Sequence, residues 1–390
     1  MYHNIFYYRN NAMMDEQILY RQIYHTLKAE IQNGHYPPGS QLPTEAALIQ
    51  RFGVSRVTVR NALALLQQEG FVVRIPAKGT FVRQSEPSSS LPKLIALLAL
   101  DVQLDFFGKI IRGAEQEAAA HGYKLLVRST DNDAEKERQC LLELQSHVAG
   151  FVIAPATGNQ NHAHYGQLLV QGVPFVFVDR YLPEFNVDRV TSDNVQGGYL
   201  ATRHLLELGH RRIGVISGPD ETIVAVEARL QGVRRTLAEH GCALPEEYVA
   251  PGDFTPESGY EAARRLMSHP SPPTAIFALN DRMAIGAIHY LREAGYRIPG
   301  DVSVIGFDDV PLAELFDPPL TTIRQPALEM GQQAARVLFD LIRGYAPATR
   351  TLVLPVDLVV RKSTAPLKQG APEKHEISSS GTRTVGQDAV

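Results

Sequence analysis

The chain has no tryptophan and only two cysteines, Cys140 and Cys242, in 390 residues. Two thiols cannot build a disulfide framework, so a reducing, cytoplasmic setting is expected. Long apolar runs are missing as well. The longest, Leu94 to Leu100, falls far short of the ~18 residues a membrane span needs and fits a buried strand. The opening MYHNIFYYRNNAMM lacks a basic region followed by an apolar core and a cleavage site, so it does not read as a signal peptide. Residues 1–14 read as a disordered leader, with Met13 or Met14 as an alternative start. No phosphate-binding G-x-x-x-x-G-K-[ST] loop and no G-x-S-x-G nucleophile elbow occurs. His162 and His164 have no third ligand at a usable spacing and read as solvated loop residues, so neither metal nor cofactor is expected. Asp308 and Asp309 could mimic a general acid and base, but no nucleophile lies near them in sequence. A transport receptor would need an export signal and an enzyme a catalytic constellation; a binding protein needs neither.

What is present is a chain long enough for two or three domains, with 44% hydrophobic residues to fill their cores. Charge is unevenly spread. Residues 13–85 carry eight Lys or Arg against five Asp or Glu, a net of +3; residues 1–12 add +1, so the overall −4 leaves −8 on the remainder. A basic head on an acidic body suits a protein whose head alone meets nucleic acid.

The head's pattern lies in residues 38–82, PGSQLPTEAALIQRFGVSRVTVRNALALLQQEGFVVRIPAKGTFV. Pro43-Thr44-Glu45 opens a helix with Thr44 as N-cap, and Ala46, Ala47, Leu48 and Phe52 supply its small and apolar contacts. Gly53 ends that helix in a left-handed conformation that glycine tolerates. Ser55 caps a second helix whose Val59, Ala62, Leu63 and Leu66 recur at three- and four-residue spacing, and Gly70 stops it. FVVRI and TFVRQ flank the turn Pro76-Ala77-Lys78-Gly79 as a β-hairpin would. Helix, turn, helix and wing together place the second helix in a DNA major groove. Arg56 and Arg60, four apart, project from one face, and arginine is the usual bidentate partner of a guanine edge. Ser55 and Thr58 are short donors suited to phosphate.

Over about 65 residues, from Leu19 to Val82, the motifs LPTE, GVSRVTVR, L-x-x-EG and KGTFV resemble the winged helix-turn-helix of the GntR family. The resemblance implies that Arg56 and Arg60 read bases or phosphates and that Thr44, Glu45, Ser55 and Thr58 belong to the same surface. It implies that Lys78 contacts phosphate and that Gly79 lets the wing approach the minor groove. Where many members carry arginine after the LPTE-like glutamate, this chain has Ala46. The head is assigned to residues 15–83.

Residues 84–92, QSEPSSSLP, form a polar linker. Beyond it, apolar strands (LIALLAL, YKLLVRS, GFVIAP, PFVFVD) alternate with helical stretches; after Asp179 the rhythm repeats through RIGVIS, TAIFAL and DVSVIGF. Strands apolar throughout and separated by helices argue parallel sheets covered on both faces. Ligands in such α/β units sit beyond the carboxyl ends of strands, which points to Asp101, Asp179, Ser217-Gly218, Asn280-Asp281 and Asp308-Asp309. Residues 93–362 are expected to form two lobes around a cleft, and 363–390, rich in Ser, Gly, Lys and Pro, a disordered tail.

The body segments TSDNVQGGYLATRHLLELGHRRIGVISG, RLQGVRRTL, FALNDRMAIGAIHYLREAGYRIPGDVSVIGFDDV and PPLTTIRQP are similar to the effector domain of LacI/GalR repressors. The fold implied is an N-terminal winged helix-turn-helix followed by an α/β, two-lobed, periplasmic-binding-protein-like domain. By that resemblance Arg229 grips the effector, Phe254 stacks on its ring, and Asn280, Asp308 and Asp179 bond its hydroxyls, with Phe106 and Phe107 offering apolar contact. Ala225 and Ile223 stand where many members carry hydroxyls. A sugar, with hydroxyls and apolar C–H faces, matches this set. The combination of head and body is similar to that of arabinose repressors, which puts L-arabinose first among the effectors. The expectation is a homodimeric repressor on double-stranded operator DNA, released by a small sugar. A regulator that ligand strengthens on DNA, and a sugar-modifying enzyme, are the alternatives.

Overall fold

The computed structural model describes residues 19–83, 93–158, 160–219, 223–345 and 348–367. The expected leader, residues 15–18 of the expected head, and the linker 84–92 lie outside these. Two compact units are formed, one from Met1–Ser192 with Pro326–Leu354, the other from Asp193–Gln325 with Pro355–Val390.

The head belongs to the first unit. A helix over residues 19–32 precedes Glu45–Phe52 and Arg56–Gln68, which lead into the antiparallel strands β1 (Val72–Ile75) and β2 (Gly79–Val82). The local signals act as expected. The Thr44 hydroxyl accepts from the Ala47 N–H at 3.2 Å, Gly53 adopts φ 64° at the C-cap, and Ser55 accepts from the Thr58 N–H at 3.1 Å. Leu27, Leu48, Val59, Ala62, Leu66, Val72 and Val82 close one small core. At the turn, Gly79 has φ 123°, and an added Cβ would come within 2.4 Å of the Gln41 amide nitrogen. That amide donates to the Lys78 carbonyl at 2.7 Å, so the glycine makes room for the group that braces the wing. The outer face of β1 packs on the body: a Cβ at Gly166, on the helix His162–Gln171, would come within 2.6 Å of the Ile75 side chain.

The rest of the first unit is a six-stranded parallel sheet. In chain order its strands are β3 (Leu94–Ala99), β4 (Lys124–Ser129), β5 (Phe151–Ile153), β6 (Phe175–Val178), β7 (Arg189–Ser192) and β13 (Thr351–Leu354), arranged β13-β7-β6-β5-β3-β4. The second unit has β8 (Ile213–Ser217), β9 (Val249–Pro251), β10 (Ala275–Ala278), β11 (Ser303–Asp308), β12 (Thr321–Arg324) and β14 (Asp357–Val359), arranged β14-β12-β11-β10-β8-β9. Within these two six-stranded sheets, among the described residues, only β14 runs antiparallel to its neighbour. The fully buried strands FVFV and IGVIS confirm the reading of apolar runs as sheets covered on both faces.

Two boundaries differ from the sequence reading. The repeat starts after Ser192, because β7 still pairs with β6 in the first unit, and the first unit regains Pro326–Leu354. The helix Ala327–Ile342 in that return segment packs so tightly on Asp105–Ala120 that a Cβ at Gly113 would come within 2.0 Å of the Leu328 carbonyl. The expected tail also begins later. Ser363 is buried and donates to the Val304 carbonyl at 2.5 Å, while the Leu367 N–H donates to Leu208 at 2.8 Å, so 363–367 are packed against the second unit. The tail beyond Leu367 lies outside the described residues.

Candidate functional site

The head's charged surface is organised by one carboxylate. Glu45 stands in the first turn of its helix, where the N-terminal dipole favours a negative charge. Its Oε2 accepts from Arg56 Nε at 3.3 Å and Arg60 Nε at 3.1 Å, and its Oε1 from Arg74 Nη2 at 3.0 Å. Burial alone would raise the Glu45 carboxyl, but hydrogen bonds from Arg60 and Arg56 and the charge of Arg74 hold it below its ordinary range. The side chains of Arg56, Arg60 and Arg74 are 67%, 49% and 56% exposed, against 19% for Glu45. Arg56 and Arg60 engage the carboxylate through Nε while their side chains stay about half exposed or more, as a residue expected to fork onto a guanine edge should. Ala46 adds no charge here; Arg74, from the wing strand, brings the third guanidinium.

Of the other expected DNA contacts, Lys78 is exposed at the wing tip, and Thr44 and Ser55 serve as caps with exposed side chains. Thr58 differs from expectation. It is 2% exposed, and its hydroxyl lies 2.8 Å from the Ser55 hydroxyl, so it reinforces the cap instead of facing phosphate. Arg74 escaped the sequence reading because 29 residues separate it from Glu45 and only the folded hairpin joins them.

In the second unit, Arg229 lies on the helix Val224–Glu239 and is 5% exposed. Its Nε donates to Asn194 Oδ1 at 2.8 Å, its Nη1 donates to the Leu279 carbonyl, and its guanidinium stacks 3.7 Å from the centre of the Phe307 ring. The close approach of its helix to Asn194–Glu207 requires Gly198, where a Cβ would come within 2.1 Å of the Arg229 carbonyl. Asn280, just past β10, caps the helix Asp281–Glu293 by accepting from the Met283 N–H at 2.8 Å and donates to the Phe254 carbonyl at 3.1 Å. Phe254 follows β9 with φ 70°, and its ring lies against Gly218, where a Cβ would come within 2.8 Å of it. Asp308 ends β11 with φ 117° and accepts from Gln325 at 2.7 Å. Behind it Asp281 is fully buried, accepting from the Thr322 hydroxyl at 2.5 Å and the Val310 N–H at 2.9 Å. Burial and the nearby charge of Asp308 push its carboxyl well above the usual range. Four of the expected effector residues of this unit therefore occupy the carboxyl-end edge of one sheet, with Asn194, Phe307 and Gln325 as partners the sequence did not reveal.

In the first unit, Asp179 ends β6 with φ 66° and is 8% exposed, with Arg180 Nε 4.0 Å from its carboxylate. Asn132, after β4, accepts from the Thr157 N–H at 3.1 Å and hydroxyl at 3.0 Å and from Arg180 at 3.4 Å, so three strand ends share a polar network. Phe106 and Phe107, expected to offer apolar contact, pair edge-to-face at 5.4 Å and belong to the unit's apolar core. Asp179, Phe254 and Asp308 all hold left-handed backbone, which costs a non-glycine residue ~1–3 kcal/mol and persists where the surroundings fix it, often at ligand sites. Among the described residues no group of three His, Cys, Asp or Glu could hold a metal ion, and no helix is long and apolar enough to cross a membrane.

Residues 19–82 match the model of the gntR family of bacterial regulatory proteins, and residues 202–364 that of the periplasmic binding protein-like domain. The chain is 34% identical over 357 residues to an arabinose metabolism transcriptional repressor of Geobacillus stearothermophilus, covering 88% of this chain and 97% of that one. It is 38% identical over 346 residues to the HTH-type transcriptional regulator DegA of Bacillus subtilis, covering 87% and 99%. A LacI family regulator of Enterococcus faecium, solved with bound ribose, superposes with a TM-score of 0.63 at 34% identity, covering 70% of this chain and all (100%) of that one. The chain belongs to this family of bacterial transcriptional regulators, with a GntR-type winged helix-turn-helix and a LacI-type, periplasmic-binding-protein-like body.

Proposed function

We propose, on the premise of that membership, that this regulator represses carbohydrate-utilisation genes as a cytoplasmic homodimer and leaves its operator when a small sugar binds. The observation that carries the sugar-binding part is Arg229. A guanidinium this buried, stacked on Phe307 and anchored by Asn194 and a backbone carbonyl, is held rigid at the sheet edge where strained Asp308 and Phe254 also stand. Cation, amide, carboxylate and aromatic ring together form a set that bonds hydroxyls and packs on a C–H face. L-Arabinose comes first among sugars because a relative regulates arabinose metabolism, and ribose second because a related structure holds it. Binding is the whole of the chemistry in this reading; no side chain is assigned a catalytic step.

A thermal-shift screen against pentoses, hexoses and their phosphates tests this reading. A sugar present at 100 times its Kd adds ~2.7 kcal/mol of stability. A screen in which no sugar raises the melting temperature, with L-arabinose and ribose at millimolar concentration, would overturn the effector assignment. A sugar that tightens operator binding would leave the site intact and make the protein a ligand-strengthened regulator.

A further inference from the structure

The three guanidiniums gathered on Glu45 come from two different elements. Arg56 and Arg60 lie on the helix Arg56–Gln68, and Arg74 lies on the wing strand β1. By strand alternation Arg74 shares the face of Val72, which enters the head core, and lies opposite Ile75, which packs on Gly166 of the body; of the four strand residues Arg74 is the exposed one. The 3.0 Å contact to Glu45 Oε1 holds the exposed Arg74 side chain at the same carboxylate as Arg56 and Arg60. One carboxylate against three guanidiniums leaves a surplus of two positive charges on an exposed surface, which is a surface for a polyanion. Arg56 and Arg60 bond Oε2 through Nε from the helix Arg56–Gln68, whereas Arg74 binds the opposite oxygen from outside that helix. A positive side chain beside the helix, not on it, stands where a duplex presents its backbone when that helix fills the groove.

We propose that Arg74 is a DNA phosphate contact of the wing strand, positioned by Glu45 so that wing and recognition helix engage the duplex as one surface. This rests on the DNA-binding role of the head. Because a phosphate carries no base identity, the contact adds affinity and salt dependence and no sequence preference.

The test uses the full chain and two probes: a duplex selected by the wild type from a random-sequence pool, and an unrelated duplex of equal length. Binding is followed by fluorescence anisotropy across a salt series. Arg74→Gln should weaken both duplexes by the same factor and lower the slope of log affinity against log salt by about 0.9, the contribution of one phosphate. Arg74→Lys should restore the slope, since it keeps the charge. A melting temperature measured for each variant separates this from hairpin stability: an Arg74→Gln chain that melts earlier but binds with the wild-type slope overturns the proposal. So does a loss confined to the selected duplex, which would make Arg74 a base reader. A wild type that enriches no sequence from the pool would instead sink the DNA-binding reading itself.

Discussion

The head and the second unit each place arginine at the centre of their chemistry, and the two settings are opposite. In the head, Arg56, Arg60 and Arg74 are about half exposed or more and share a single carboxylate. In the second unit, Arg229 is buried, stacked on an aromatic ring and tied to an amide and a backbone carbonyl. Exposed ion pairs in high dielectric contribute ~0–1 kcal/mol each and weaken further with salt, so the head's guanidiniums are available to exchange a carboxylate for phosphate or guanine. A buried guanidinium cannot be given up so easily, because its partners would be left desolvated and unpaired. The head's guanidiniums can exchange their contacts, whereas Arg229 is held in place, as a residue proposed to receive a ligand should be.

The largest break in this contrast is Arg229→Ala. It leaves Asn194 and the Leu279 carbonyl without their donor, a cost of ~1–3 kcal/mol per buried group. Sugar affinity should fall tenfold or more, and the variant should hold its operator in the presence of sugar. Operator affinity without sugar should stay near wild type. Titration calorimetry with sugar checks the first part. Loss of operator binding by a folded variant would contradict the division of labour.

Next comes Arg60→Ala, expected to cost about 1–3 kcal/mol on the selected operator and to relax preference at one base pair. Competition anisotropy against single-base variants measures it. An unchanged preference would remove Arg60 from the base readers.

The division of labour also explains what could be read from the chain. The head was legible almost residue by residue, because its signals are local: Thr44 and Ser55 cap, Gly53 turns, and Val59, Ala62 and Leu66 recur at helical spacing. Thr58 was misread because a short donor in a first helical turn looks alike whether it faces phosphate or its own cap. In the body, β3, β4, β5, β6, β8, β10 and β11 were legible from apolar runs, while the short β7 and β9 were not. The return of Pro326–Leu354 to the first unit was not, since β13 pairs with β7 across more than 150 residues and no local pattern encodes that pairing. The polar and aromatic residues proposed for the effector could be picked out by type at strand ends, yet Asn194 and Phe307, which hold Arg229, could not, because only tertiary packing brings them to it. Phe106 and Phe107 show why type alone does not decide: an aromatic pair at a helix start serves a core as readily as a ligand.

The smallest effect expected is on acid stability. The Glu45 carboxyl is held below its ordinary value of 4.5 in the folded head. A depressed carboxylate contributes stability that is present above the unfolded value and lost as pH falls through the folded one. Acidifying from about pH 5 to about pH 3 should therefore destabilise the wild-type head more than Glu45→Gln, by a fraction of a kcal/mol because the group is partly exposed. Equal acid sensitivity in the two proteins would mean that the arginines do not hold Glu45 in solution.

Coupling between the two arginine sites is tested most directly by measuring the same linkage from both ends. At one salt concentration, the selected duplex is titrated with protein in the absence and presence of saturating L-arabinose, and arabinose is titrated into protein with and without duplex. The account predicts that sugar weakens DNA binding and that DNA weakens sugar binding by the same factor, because a coupling free energy is reciprocal. If L-arabinose and every sugar found by thermal shift leave duplex affinity unchanged, the head and the effector residues are not coupled and the account fails.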